Sequence, residues 1–130
     1  MSSLLAAALV GQICVYNAIQ EPVQAYFWNR YDAGGVFDFQ LIHPKHRYCA
    51  SSNGVRMFEV RLFPAESHFK NTVVLPKTGA GDQCGEGVEG QSLHLRIARR
   101  LPVQKSEDPK VDALFPRYGF ECELVSQGQS

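Results

Sequence analysis

The chain of 130 residues has no excess charge of either sign: 13 lysines and arginines are balanced by 13 aspartates and glutamates. A neutral overall field excludes indiscriminate attraction to nucleic acid or anionic membranes and leaves local patches as the only electrostatic footprint. Long hydrophobic runs are missing as well. The longest, Leu4 to Val10, is far shorter than the roughly 20 apolar residues that cross a bilayer as a helix, so no membrane association is expected. The four cysteines form no C-x-x-C pair, which removes the usual dithiol redox motif and the zinc knuckle. G-x-S-x-G and H-E-x-x-H are absent too. The glycine-rich stretch TGAGDQCGEGVEG lacks the G-K-[ST] ending of a phosphate loop, and its acidic residues would repel phosphate.

What is present suits one globular domain. Hydrophobic residues make up 45% of the chain and aromatics 11%, enough to fill a core, while 14.5 kDa leaves no room for a second one. Cys14, Cys49, Cys84 and Cys122 are even in number and widely spaced, which favours disulfides and secretion into an oxidising compartment. Three connectivities are open. Cys14 with Cys122, stapling the two ends, and Cys49 with Cys84, tying two loops, is the favoured one. Ser2 to Val15 resembles the apolar part of a secretion signal but lacks the basic start and an A-x-A cleavage site. The expected division is a signal remnant or unstructured start at 1–11, one globular domain at 12–126 and a tail at 127–130.

Glu21 to Gly35 predicts the one substantial helix. Pro22 suits a first turn, Gly34 and Gly35 a stop, and Val23, Tyr26, Phe27, Arg30 and Tyr31 fall on one helical stripe. Beyond it the chain reads as strand and loop. Val36 to Ile42 alternates, with Phe37, Phe39 and Leu41 on one face and Asp38 and Gln40 on the other; Arg56 to Phe63 places Phe58, Val60 and Leu62 inward. Thr72 to Leu75 reads as a short buried strand. Ser92 to Leu101 sets Leu93, Leu95 and Ile97 against His94, Arg96 and Arg100, and Phe120 to Val125 turns Phe120, Cys122 and Leu124 inward. Gly79 to Gly90 reads as a loop. Within the polar connection Pro102 to Arg117, Asp108 caps a short helix begun by Pro109, with Val111, Leu114 and Phe115 docked on the body. The expected class is α+β, an N-terminal helix packed on an antiparallel sheet of about five strands. The alternative is an all-β sandwich in which Gln12 to Tyr16 is the first strand.

Two basic groups stand out. His43-Pro44-Lys45-His46-Arg47 brings two histidines beside a lysine and an arginine, residue types suited to phosphate contacts or to acid–base chemistry. His43, His46 and Cys49, with Cys84 or His68 as a fourth ligand, offer a conceivable metal set, but the spacing matches no common zinc module, and neither metal nor cofactor is expected. The second group is the stripe His94, Arg96 and Arg100, for which Glu59, Glu121 and Glu123 are the available cross-strand counter-charges. Lys45, His46, Arg47, His94, Arg96 and Arg100 are thus the candidate contacts for a partner or RNA.

Cys14 about thirty positions before Pro44, the strand Glu59-Val60-Arg61-Leu62-Phe63-Pro64, and Cys122 within GFECELV together resemble the microbial guanyl-specific ribonuclease fold. They are more similar still to the ribonuclease-like secreted effectors of powdery-mildew fungi. The resemblance covers Gln12 to Val125 and implies a helix packed on a sheet, with Cys14 paired to Cys122. It also implies lost catalysis: His43-Pro44-Lys45 stands where the family has tyrosine-proline-histidine, Leu62 replaces the glutamate, and Thr72 replaces the arginine. The function it implies is a secreted, monomeric, non-catalytic effector or virulence protein that binds host RNA or a host protein. Two alternatives stay open. One is an active secreted ribonuclease using His46 and His94; the other is a β-sandwich interaction or sugar-binding module.

Overall fold

The computed structural model describes residues 11–30, 35–67 and 80–128. Eight strands form two four-stranded sheets: β1 (Gln12–Asn17), β2 (Val23–Asn29), β3 (Val36–Ile42), β4 (Arg47–Ser51), β5 (Met57–Pro64), β6 (Asp82–Val88), β7 (Ser92–Arg100) and β8 (Phe120–Gly128). The first sheet has the order β4-β1-β7-β8 and the second β3-β2-β5-β6. All pairings are antiparallel except that of β1 with β7. The helical content of the described residues is one short helix, α1 (Pro109–Leu114), and a 3-10 turn at Ala65–Ser67. None of these helices is long and apolar enough to cross a membrane.

The expected helix-on-sheet architecture is therefore corrected to an all-β sandwich, and the predicted helix from Glu21 is strand β2. The physical reason lies in β2 itself. Val23, Ala25 and Phe27 face the space between the sheets, while Gln24, Tyr26 and Trp28 are buried on the other face. A strand buried on both sides shows no polar alternation, so its aromatic and β-branched run imitated a helical stripe. The predicted strand Thr72 to Leu75, His68 and residues 2–10 of the signal-like segment lie outside the described residues, while Gln12 to Val15 of that segment belong to β1.

The core between the sheets is built from one face of each strand. Ile13 and Val15 of β1 and Leu93, Leu95 and Ile97 of β7 meet Phe27, Phe58, Val60 and Leu62 from the opposite sheet, all buried. The alternation read from β5 and β7 is thus borne out. In β3 it is corrected: Phe37 packs toward the core and against Phe27, but Phe39 lies on the outer face, stacked on Tyr26 with ring centroids 5.6 Å apart. A register shift at Phe27/Trp28 opposite Val36 accounts for the change of side. Leu124, expected inward, is 56% exposed on the edge strand β8.

The stretch expected to be a loop at Gly79 to Gly90 contains β6. Its glycines are packing residues. A Cβ on Gly85 would meet Leu95 Cδ1 at 2.8 Å, and one on Gly87 would meet the Phe58 ring at 2.6 Å. Both disulfides form, but between Cys14 and Cys49 and between Cys84 and Cys122, not in the favoured connectivity. Cys14 sits directly opposite Cys49 in the β1–β4 register. It points away from the core whereas Cys122 packs toward it, with β7 between them, so the two cannot meet. The first bridge ties neighbouring strands of one sheet, and the second joins the two sheets through β6 and β8.

Between β7 and β8 the chain makes a strap, 101–119, that leaves and returns at one point. Leu101 N–H donates to Gly119 O at 2.7 Å, and Gly81 N–H donates to Pro116 O at 3.0 Å. The buried Asp82 carboxylate accepts from Tyr118 N–H at 3.0 Å and Phe120 N–H at 2.6 Å. Asp108 caps α1 by accepting from Lys110 N–H, as its sequence predicts. The expected docking of the helix fails, however: Val111, Leu114 and Phe115 remain substantially exposed.

One buried-edge contact yields a direct test. Tyr48 Oη donates to Asp38 Oδ2 at 2.7 Å. That hydrogen bond, then burial, then the Asp38 charge push the phenol up to about 12 from its ordinary 10.0. A phenol whose folded value is raised stabilises the fold fully below pH 10 and loses that contribution as pH rises through about 12. Alkaline titration of phenolate absorbance is expected to show a group ionising near pH 12 that Tyr48→Phe removes. An unaltered titration in that variant contradicts the assignment.

Candidate binding face

The residues that carry the site lie on the outer face of the sheet β4-β1-β7-β8. Strand β1 sits inside that sheet, and its odd-numbered residues Ile13 and Val15 fill the core, so Cys14 and Tyr16 project to the other side. Pairing fixes what surrounds them. Arg47 of β4 and Arg96 of β7 flank Tyr16, and Glu123 of β8 lies beyond Arg96, forming one row across four strands. The neighbouring row runs Cys49, Cys14, His94. Arg47, Cys49 and Arg96 are exposed, and Tyr16 and His94 are half-buried.

Charges in the row are unequal in their commitments. Arg96 pairs with Glu123, and Arg99 pairs with Glu121 at 3.0 Å and with Glu123 at 3.2 Å. The Glu123 carboxyl is held below its ordinary value, first by the hydrogen bond from Arg96, then by the charges of Arg96 and Arg99 outweighing the small cost of desolvation. Glu121 and Glu123 are thus the counter-charges expected from the sequence. Glu59 is not: it lies in the other sheet, 2% exposed, where Arg61 Nε reaches it at 2.9 Å and Arg30 Nε at 3.4 Å. Arg47 makes no ion pair among the described residues.

The other sequence-predicted contacts divide. Lys45 and His46 border the face in the corner that carries the chain from β3 in one sheet to β4 in the other. Lys45 adopts the left-handed conformation, φ 65°, and its Nζ donates to Ala18 O at 3.0 Å. His46 Nδ1 lies 3.0 Å from Pro44 O, and its ring stands edge-on to His43. Arg100 belongs to the scaffold: it pairs with Glu21, donates to Tyr118 O at 3.2 Å and lies 4.5 Å over the Phe120 ring.

His46 and His94 are not brought together. Asn17 N–H donates to His46 O, and Asn17 is level with Ile97. His94 is three positions along and two strands across from His46, about 14 Å away between backbones at the usual strand spacings. Cys49 and Cys84, considered as metal ligands with His43 and His46, are consumed in disulfides.

Sequence reading missed two residues here. Tyr16 gained importance only through its two flanking arginines, which come from strands far apart in the chain. Asn17, fully buried, organises the corner: its Nδ2 donates to Glu21 O at 2.8 Å and Ile42 O at 2.9 Å, and its Oδ1 accepts from Ile19 N–H. A polar residue closing an amphipathic strand was the available signal. Comparison of the chain with protein-family models, curated proteins and solved structures finds no match. Two disulfides suggest an extracellular setting.

Proposed function

We propose that this protein is a secreted, non-catalytic binding module, a β-sandwich that engages a host protein through the Arg47–Tyr16–Arg96 row. The observation that carries the reading is an exposed arginine without an ion pair, set beside a half-buried tyrosine on a sheet that a disulfide holds rigid. Arginine and tyrosine dominate the binding energy of protein interfaces, because both bring large contact area together with hydrogen-bonding groups. A rigid sheet also orders little on binding, which favours affinity. Neutralisation of Arg96 and Arg99 by Glu121 and Glu123 leaves the face too weakly basic to track a phosphate backbone, so a protein with an acidic contact residue suits it better than RNA.

The test is photocrosslinking from p-benzoylphenylalanine at position 16 in host extract, with Arg47→Glu introduced alongside. Charge reversal at Arg47 is expected to reduce partner capture about thirtyfold or more, while stability changes by no more than about 0.5 kcal/mol because the site is exposed. Arg56→Glu, on the turn before β5, serves as the control for net charge. Capture that survives Arg47→Glu sinks the proposal. Tight binding of single-stranded RNA that Arg47→Glu abolishes moves the partner from protein to RNA, and RNA cleavage abolished by His46→Ala and His94→Ala overturns the non-catalytic reading.

A further inference from the structure

We infer that the hollow beneath the strap 101–119 is a binding site for a small organic anion with an apolar body. The main hollow measures about 620 Å³, within the range of small-molecule sites. Two smaller ones, about 380 Å³ and 200 Å³, adjoin it, and Arg117 lines all three. The strap stands off the sandwich instead of collapsing on it, which leaves this space between them.

Its chemistry is asymmetric. Arg61, Lys105 and Arg117 line the main hollow against one carboxylate, Asp112. Asp112 is occupied by the strap's own backbone, accepting from Ser106 N–H at 3.1 Å. Arg61 is likewise engaged, with Glu59 at 2.9 Å and Gly81 O at 2.9 Å. Lys105 and Arg117 have no ion pair among the described residues. Two uncommitted cations thus flank a space whose remaining wall includes Val111 and Phe115, apolar side chains that the fold leaves exposed. A ligand that buries an aliphatic or aromatic body against Phe115 and presents a carboxylate or phosphate to Arg117 satisfies both. An inorganic anion would leave the apolar wall wet, and a cation would meet repulsion.

The site is also held in shape. The Leu101–Gly119 neck and the Asp82 clamp fix the strap's ends, and the Asp108 cap fixes α1 within it. The backbone that carries Lys105 and Arg117 is therefore tethered before an organic anion arrives, which limits the ordering cost of binding to their side chains.

Two fluorescent probes with nearly the same aromatic body separate the contributions. 8-Anilinonaphthalene-1-sulfonate carries the anion, and N-phenyl-1-naphthylamine lacks it. The folded wild-type protein is expected to bind the sulfonate at one site. Arg117→Gln should lower that affinity about tenfold, as for loss of one charge-assisted hydrogen bond, with the neutral probe unaffected. Arg117→Lys and the bystander Lys110→Gln should each stay within about threefold of wild type. Phe115→Ala should weaken both probes. Equal sulfonate affinity in wild type and Arg117→Gln overturns the inference, as does an equal loss for both probes in Arg117→Gln or a loss as large in Lys110→Gln. Lys105→Gln provides the second reading, with a decrease for the sulfonate alone.

Discussion

Gly119→Ala is expected to lower the thermal midpoint by about 10–15 °C, from a loss of about 3 kcal/mol. Gly119 has φ +87°, in the left-handed region where an L side chain is strained. The added Cβ would also lie 1.9 Å from Leu101 O, a backbone atom that cannot rotate aside. Relief requires opening the neck of the strap, which removes the Leu101–Gly119 hydrogen bond. It also moves Phe120, the next residue, whose ring belongs to the core and whose N–H is held by Asp82. Differential scanning calorimetry measures the effect, and a midpoint within about 2 °C of wild type would contradict it. Gly54→Ala provides the contrast: φ is +81° there, but a Cβ meets nothing within 4 Å, so the strain acts alone and the loss should be near 1 kcal/mol.

The second large effect is expected on removing the disulfides. Each closes a loop of similar length, 35 residues apart for Cys14–Cys49 and 38 for Cys84–Cys122, so the chain-entropy model assigns each about 4 kcal/mol. Their surroundings should separate them. Cys14→Ser with Cys49→Ser leaves β4 still paired to β1 through five register positions. Cys84→Ser with Cys122→Ser removes the covalent link between β6 and β8, edge strands of different sheets, beside the groove lined by Leu93, Leu95 and Gly85. Urea unfolding is expected to show a loss of 2–4 kcal/mol for either pair, with increased hydrogen exchange confined to β4 in the first variant and spread over β6 and β8 in the second. Unchanged midpoints in both variants would show that the bridges contribute nothing.

The strands that were legible in the sequence are those whose outer face carries polar side chains, as Glu59 and Arg61 do in β5 although Glu59 is buried. β5 and β7 announce themselves by alternation, and the register then places Phe58, Val60, Leu62, Leu93, Leu95 and Ile97 in the core. β2 was illegible because both its faces are covered. β6 was masked by its glycines, which look like loop markers but answer to the Leu95 and Phe58 side chains pressing on them. β4 is five residues long and opens on the basic cluster, so its charge was read before its conformation. The binding face shows the same division. Arg47, His94 and Arg96 were legible as basic residues, whereas Tyr16 depends on strand pairings that composition and local periodicity do not encode. Arg117 reads in the sequence as an ordinary loop charge, because its place at the hollow depends on how the strap is tethered.

Zero net charge takes a positional meaning in this light. Glu121 and Glu123 cancel Arg96 and Arg99 at short range, and Glu59 and Glu86 take up Arg30. Arg47 on the sheet and Lys105 and Arg117 in the strap are among the charges that form no ion pair among the described residues. Binding through such isolated charges should depend only modestly on salt, unlike the steep dependence of a polyanion binder.

The position of β1 has a consequence in time. It is the first described strand, yet it lies inside its sheet, with Cys49 35 residues later on one side and β7 on the other, where Gly11 N–H reaches a Ser92 hydroxyl 81 residues further on. A nascent chain can pair β2 with β3 and β5 as they emerge, but β1 must wait for β7 before its second edge is satisfied. Closing that long loop is expected to make the parallel pairing late in folding. Until it happens, Ile13 and Val15 sit on a half-paired strand open to other chains, and the period between synthesis of β1 and of β7 is when this protein is most exposed to aggregation.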